Sequence, residues 1–165
     1  MTNFIKKMKK YIFIFLSFLS VLLTSCGGDD DICVSGEATP RMKLKFKSPE
    51  GKLKTMEYLA ISVVYSDTIK TKVFEGANVD SVFVPLRVDT QPYTQLYVKS
   101  EKNGPESQLK ISYTTKSEYV SPACGIKRLY ENCAGVLENP IPVSAIETNQ
   151  NQITSEDKTH FYLIF

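Results

Sequence analysis

The amino-acid sequence predicts an all-β fold: a single antiparallel β-sandwich, Ig-like or similar, with about seven or eight strands. From Arg41 onward, apolar and polar residues alternate with a period of two over most of the chain. Turn signals interrupt this alternation roughly every 8–12 residues, a spacing typical of sandwiches. A closed β-barrel would give a similar pattern and is the alternative.

The first predicted strand shows the alternation clearly. Met42, Leu44 and Phe46 alternate with three lysines, which predicts a half-buried strand with a charged outer face. Pro85 cannot donate a hydrogen bond to a neighbouring strand, so the strand that contains it is expected at a sheet edge or a bulge. The other predicted strands cover residues 59–65, 71–75, 82–86, 96–98, 109–121, 143–148 and 159–165.

The hydrophobic period changes after Gly125. Ile126, Leu129, Tyr130 and Cys133 are spaced i, i+3, i+4 and i+7, as on one face of a helix. We therefore expect at most one short helix, near residues 126–133. An extended segment with a bulge is the alternative.

The first 25 residues have the features of a secretory signal peptide. Four lysines precede an apolar run at residues 11–23, and Leu23-Thr24-Ser25 leads directly into Cys26. The run is shorter than the roughly 20 residues that a membrane-spanning helix needs. This stretch resembles the lipobox of Gram-negative bacterial lipoproteins, which implies acylation of Cys26. The alternative is an ordinary secretion signal with a coincidental cysteine.

The predicted organisation has three parts: residues 1–25 as a removed signal peptide, 26–40 as lipid anchor and acidic tether, and 41–165 as the β-rich domain. Acyl chains on Cys26 would make the membrane a partner. Gly27 stands where an aspartate would signal retention in the inner membrane, so we expect the outer membrane. The acidic tether also resembles a surface-export signal, and both the periplasmic side and the cell surface stay open.

Removal of the signal peptide changes the charge balance of the chain. The full sequence has 20 basic and 18 acidic residues, and four of the lysines lie in the signal peptide. The mature chain would have 16 basic against 18 acidic residues. Because no basic excess is left to neutralise phosphates, we expect no nucleic-acid partner.

Four cysteines in an exported chain suggest a disulfide. Acylation would use Cys26 and leave three thiols. A Cys33–Cys124 bridge would close a loop of about 90 residues and stabilise by about 4–5 kcal/mol, whereas a Cys124–Cys133 bridge would give nearer to 3 kcal/mol. A metal site is not expected, because the chain has no CxxC pair and one histidine.

Two segments resemble an uncharacterised family of Gram-negative lipoproteins, a domain of unknown function. Near the mature N-terminus they are Cys33, Thr39-Pro40 and the strand at 44–46; later they are Tyr119-Val120-Ser121 and Cys124-Gly125. The resemblance implies a β-rich envelope domain and a Cys33–Cys124 disulfide. Cys133 is additional to the pattern, so its thiol would be the free one. No activity comes with the resemblance.

Motifs of enzyme chemistry are missing from the sequence. It contains no GxSxG, no Gly-rich phosphate loop and no HExxH. A catalytic triad or Cys/His pair would have to use His160, the single histidine, which lies in an alternating strand and is expected to be structural. We therefore expect no enzyme activity and no cofactor.

Paired carboxylates could serve a glycosidase. Asp67 with Asp80, or Glu118 with Glu131, are the candidates, but they are spread through turns and strand ends. We therefore expect these carboxylates to be solvated surface residues and not a catalytic pair.

The aromatic residues offer one candidate ligand face. Tyr93 and Tyr97 lie in an alternating strand, opposite the apolar Leu96 and Val98. The expected function is a non-catalytic, lipid-anchored envelope lipoprotein that binds a protein partner or supports the outer membrane structurally. The alternative is a surface-exposed module that binds a carbohydrate or a host ligand.

Overall fold

Alternating side chains give nine strands in the part of the chain that the computed structural model describes, residues 38–66, 69–122 and 124–165. No helix occurs in these residues. The strands are β1 Met42–Lys47, β2 Leu59–Ser66, β3 Ile69–Gly76, β4 Ser81–Val84, β5 Tyr93–Lys99, β6 Ser107–Ser121, β7 Gly125–Asn139, β8 Ala145–Thr148 and β9 Phe161–Ile164.

The strands form two sheets. One has the order β4-β1-β9-β8 and the other β3-β2-β5-β6-β7. Strands β1 and β9 run parallel, and the other neighbouring strands are antiparallel. The predicted all-β sandwich is confirmed, and the closed barrel is wrong because the two sheets are separate.

The core lies between the inner faces of the two sheets. Met42, Leu44 and Phe46 of β1 are fully buried, while the lysines between them face outward. From the other sheet, Leu96 of β5 and Ile111 of β6 belong to the same buried cluster. Period-two alternation therefore identified the inner faces correctly, because successive side chains of a strand point to opposite sides.

The expected short helix near residues 126–133 is wrong. This segment is the first part of β7, and a bulge explains the helix-like spacing. Thr114 pairs with Glu131 and Ser112 with Ala134, so β7 has one extra residue here. Asn132 has a φ of 54°, in the left-handed region that asparagine tolerates. The extra residue puts Tyr130 and Cys133, three positions apart, both into the core.

One of the sheet edges was predicted from the sequence. Strand β4 ends at Val84, directly before Pro85, and is an edge strand as predicted. Strand β9, which is apolar on both faces, lies between β1 and β8 in the interior of its sheet.

Strands β6 and β7 are each 15 residues long and extend beyond their neighbour β5. Strand β5 pairs with residues 107–112 of β6, whereas β7 pairs with β6 from residue 108 to residue 121. Residues 114–119 are exposed. We call residues 114–121 and 125–129 the arm, because they form a two-stranded ribbon beyond the third strand.

Several predictions fall on residues outside the described ranges. These are the signal peptide (1–25), the lipidation site Cys26, the tether up to residue 37, Cys33 and Asp67. In the described part of the chain, no helix has the length and hydropathy of a membrane span.

Candidate functional site

The predicted ligand face lies on the outer side of the five-stranded sheet. Tyr93 and Tyr97 of β5 are partly exposed there, while Thr94, Leu96 and Val98 point into the core. A lysine ammonium lies over each tyrosine ring. Lys110 comes from β6, which pairs with β5, and Lys70 comes from β3, which β2 separates from β5. The Lys70 Nζ lies 3.7 Å from the ring centroid of Tyr97, and the Lys110 Nζ lies 4.3 Å from that of Tyr93.

These lysines change what the two rings can bind. An ammonium over an exposed tyrosine ring gains about 0.5–1 kcal/mol from the ring quadrupole. A sugar that stacked on Tyr97 would have to displace Lys70 from the ring first. The arrangement is better suited to a ligand that binds the lysine itself.

A groove of about 410 Å³ opens beside Tyr97. Strands β2, β3 and β5 and the turn after β5 line it. We call it the lysine groove, because four lysines and two glutamates surround it: Lys70, Lys72, Lys99, Lys102, Glu75 and Glu106. Its formal charge is therefore positive.

Both glutamates of the lysine groove form ion pairs with lysines of the same groove. Glu75 accepts a hydrogen bond of 2.7 Å from the Tyr58 hydroxyl and forms an ion pair with Lys72. Hydrogen bonding from Lys72, and then from Tyr58, holds the pKa of the Glu75 carboxyl below its usual range. Glu106 forms an ion pair with Lys70.

Two lysines of the groove, Lys99 and Lys102, have no carboxylate partner among the described residues. Lys102 acts on Glu75 only as a more distant charge. The lysine groove can therefore accept an anionic group without first breaking an ion pair of its own.

The sequence did not identify this groove. Lys70 and Lys72 come from β3, Lys99 from β5 and Lys102 from the following turn. They meet because β2 alone separates β3 from β5 in the sheet. The available signal was the alternation of Lys70 and Lys72 in a short strand, which is also what an ordinary solvated face looks like.

The single histidine is buried directly before β9. The His160 Nδ1 accepts a hydrogen bond of 2.8 Å from the backbone N–H of Lys43, and the ring bonds the backbone of Ser155 as well. Burial disfavours the charged imidazolium and lowers the pKa of His160 below 6.5. The ring thus connects the chain at the beginning of β9 to β1, and its role is structural.

We expect this histidine to make stability depend on pH. In the unfolded chain its pKa is about 6.5, and in the folded chain it is lower. Its contribution is thus present above about pH 6.5 and is lost as the pH falls through the folded pKa, by up to about 1.4 kcal/mol per pH unit. Urea unfolding at pH 7 and pH 5.5 should show this loss.

The matched variant is His160→Asn, whose side-chain oxygen can replace Nδ1 as the acceptor for Lys43. Its free energy of unfolding should fall less over the same pH range, because asparagine does not titrate. Equal pH dependence in the variant and the wild type would contradict this role of His160.

Cys133 is a free cysteine and is buried on β7. Burial raises the pKa of its thiol to about 11, so the nucleophilic thiolate is scarce at neutral pH. A small apolar side chain at this position packs in the core like its neighbours.

The candidate pair Glu118 and Glu131 does not form a site, whereas the pair Asp67 and Asp80 falls partly outside the described residues. Glu118 lies opposite Lys127, with 3.0 Å between its Oε1 and the Lys127 Nζ, while Glu131 lies opposite Thr114. Four positions along the arm correspond to about 13 Å, farther apart than the carboxylates of a glycosidase. In residues 38–66, 69–122 and 124–165, no three metal-binding side chains converge.

The fold and the groove define a class of protein: an all-β sandwich with a basic groove on the outer face of its larger sheet. A family model matches residues 58–165, and the chain belongs to that family, a family of unknown function (DUF6452). The match includes β2 to β9, and so both the lysine groove and the arm. No curated protein and no solved structure matched the chain.

Proposed function

We propose that this protein is a lipid-anchored lipoprotein of the Gram-negative outer membrane that works without catalysis by binding a protein partner. The lipobox-like sequence that ends at Cys26 supports the anchor. The lysine groove is the observation that carries the binding role, because it combines an open cleft with uncompensated positive charge.

The chemistry of the lysine groove favours an acidic partner segment. Lys99 and Lys102 provide two positive charges, and Lys70, whose ammonium lies over the Tyr97 ring, lines the groove with them. Aspartate or glutamate side chains of an extended segment would bind these ammonium groups. Interactions of this exposed kind contribute about 0.2–1 kcal/mol each and also speed association.

A carbohydrate-binding role has less support. The tyrosine rings that would stack on a sugar are covered by Lys70 and Lys110. Protease treatment of intact cells separates the two roles by location. Protection of the domain from the protease would exclude a host-ligand module at the cell surface.

We expect the double variant Lys99→Glu/Lys102→Glu to weaken binding of a labelled poly-L-glutamate peptide by about tenfold, since tenfold corresponds to about 1.4 kcal/mol. The measurement is fluorescence anisotropy of the labelled peptide with the full chain at low salt. The control variant Lys45→Glu/Lys52→Glu makes the same charge change on and next to β1, away from the groove.

Equal weakening in both double variants would mean that only net charge matters, and the groove would then not be the binding surface. The same position can be tested in intact envelopes. A photo-crosslinking residue in place of Lys99 should capture a partner protein that the same residue in place of Lys45 does not.

A further inference from the structure

The arm has an apolar pair on one of its faces. Tyr119 and Ile126 lie directly opposite each other on β6 and β7, and each is 66% exposed. Directly opposite residues of an antiparallel pair share a face. The other face carries the Glu118–Lys127 ion pair. The next pair on the face of Tyr119 and Ile126 is Ser117 with Arg128. This side of the arm therefore has an exposed apolar pair beside a basic side chain.

The exposed pair continues the core side of the sheet beyond the sandwich. Ile126 and Tyr130 point to the same side of β7, because no bulge lies between them. Tyr130 is fully buried and donates a hydrogen bond of 3.2 Å to the Arg87 carbonyl. Val88, which follows Arg87 in the chain, is itself exposed.

The N-terminal segment joins the domain at the same end. The Thr39 Oγ1 accepts a hydrogen bond of 2.9 Å from the backbone N–H of Arg128, two residues from Ile126. Eleven residues lie between Cys26 and Ala38, which is the first described residue. Even fully extended, the peptide links from Cys26 to Ala38 span at most about 43 Å. An acyl group on Cys26 would thus hold Ala38 within about 43 Å of the bilayer, a distance at which the neighbouring arm can reach the membrane surface.

The charges of the arm agree with this location. Besides the Glu118–Lys127 ion pair, the arm carries Lys116 and Arg128, and Glu131 lies opposite Thr114 at its base. Anionic lipid headgroups attract such basic residues next to a membrane. Tyrosine is enriched at the boundary between headgroups and acyl chains, where one end of the side chain is apolar and the other is wet.

We propose that the arm rests on the membrane surface, with Tyr119 and Ile126 inserted at the boundary between headgroups and acyl chains. This inference depends on the proposed lipid anchor at Cys26. The anchor supplies permanent attachment, and the arm sets the orientation of the sandwich against the bilayer. The contact resembles that of other peripheral elements that bind a membrane through apolar and basic side chains together.

The chain contains no tryptophan, so a single introduced tryptophan reports its own environment. We would place the full-length acylated chain with Tyr119→Trp in vesicles of phosphatidylethanolamine and phosphatidylglycerol. Its emission should shift to the blue, and brominated acyl chains should quench it severalfold more than in the control. Ile126→Trp is a second reporter in case the first variant does not fold.

Leu53→Trp is the matched control. Leu53 is also 66% exposed, but it pairs with Lys47 at the other end of β1 from Thr39. An anchored chain in which the Y119W and L53W variants give the same emission and quenching would overturn the arm contact alone. A shift of Y119W in native envelopes but not in protein-free vesicles would indicate a protein partner and overturn it as well.

The anchor itself is read separately, by mass spectrometry of the N-terminus and by flotation with the vesicles. A chain that stays unattached with Cys26 unmodified would overturn the anchor and the arm contact together. An attached chain whose Y119W tryptophan emits as in water would overturn the arm contact, while the proposals for the anchor and the lysine groove would still stand.

Discussion

We expect Phe46→Ala to lower the free energy of unfolding by about 3–5 kcal/mol, the usual cost of removing a buried phenylalanine. The Phe46 ring is fully buried between the sheets, and its centroid lies 5.9 Å from that of Phe165 in an edge-to-face contact. Because domains of this size have about 5–15 kcal/mol of stability in total, this one change removes a large share of it. Urea unfolding should give a lower midpoint with an unchanged m-value.

Phe83→Ala is the matched control, since it removes the same side chain from the same sheet. Phe83 points to the outer face of β4, where the Arg41 guanidinium lies 4.9 Å and the Lys43 ammonium 5.3 Å from its ring centroid. Its loss should cost only about 1–2 kcal/mol, mostly cation–π attraction. Equal destabilisation by the two variants would contradict a core that lies between the sheets.

The second large effect concerns the Cys33–Cys124 disulfide, which stays a prediction because Cys33 lies outside the described residues. We expect Cys124→Ser to lower the free energy of unfolding by about 4–5 kcal/mol, from the loss of a loop of about 90 residues. A non-reducing peptide map of the full chain should join the Cys33 and Cys124 peptides.

The structure excludes the other pairing that the sequence left open. Cys133 lies eight residues into β7 from Gly125, which corresponds to about 25 Å along a strand. Disulfide-bonded cysteines have Cα atoms about 4.4–6.8 Å apart, so Cys124 and Cys133 cannot be joined while β7 is formed. Cys133 is accordingly free.

Cys133→Ala is the control for the disulfide experiment, because it removes a thiol without removing the bridge. It should cost only about 1–2 kcal/mol, the loss of a small buried group. In the wild type, one thiol should react with a thiol reagent, and only after unfolding. A Cys33 peptide that migrates alone without reductant, or a second reactive thiol, would refute the pairing.

The lysine groove and the arm occupy different parts of the larger sheet. The groove is formed around β3, β2 and β5, whereas the arm continues β6 and β7 at the opposite edge. If both proposals hold, the arm contacts the membrane and the groove stays accessible to a partner. The groove and arm experiments can therefore fail independently of one another.

In most strands, the residues that face the core follow from the alternation of apolar and polar residues in the sequence. Each of the eight predicted segments coincides in whole or in part with a strand, and Met42, Leu44 and Phe46 are buried as predicted. This worked because the direction of a side chain in a strand depends only on its own position along that strand. The edge position of β4 followed from Pro85 for a similarly local reason.

Features that depend on neighbouring strands are visible in the three-dimensional fold and not in the local sequence pattern. The segment after Gly125 is a strand because β6 provides hydrogen-bond partners along it, and the extra residue near Asn132 produces the helix-like spacing. The lysine groove and the arm likewise arise from strand order and unequal strand length. Pairing partners and register join residues far apart in the chain, so local periodicity contains no record of them.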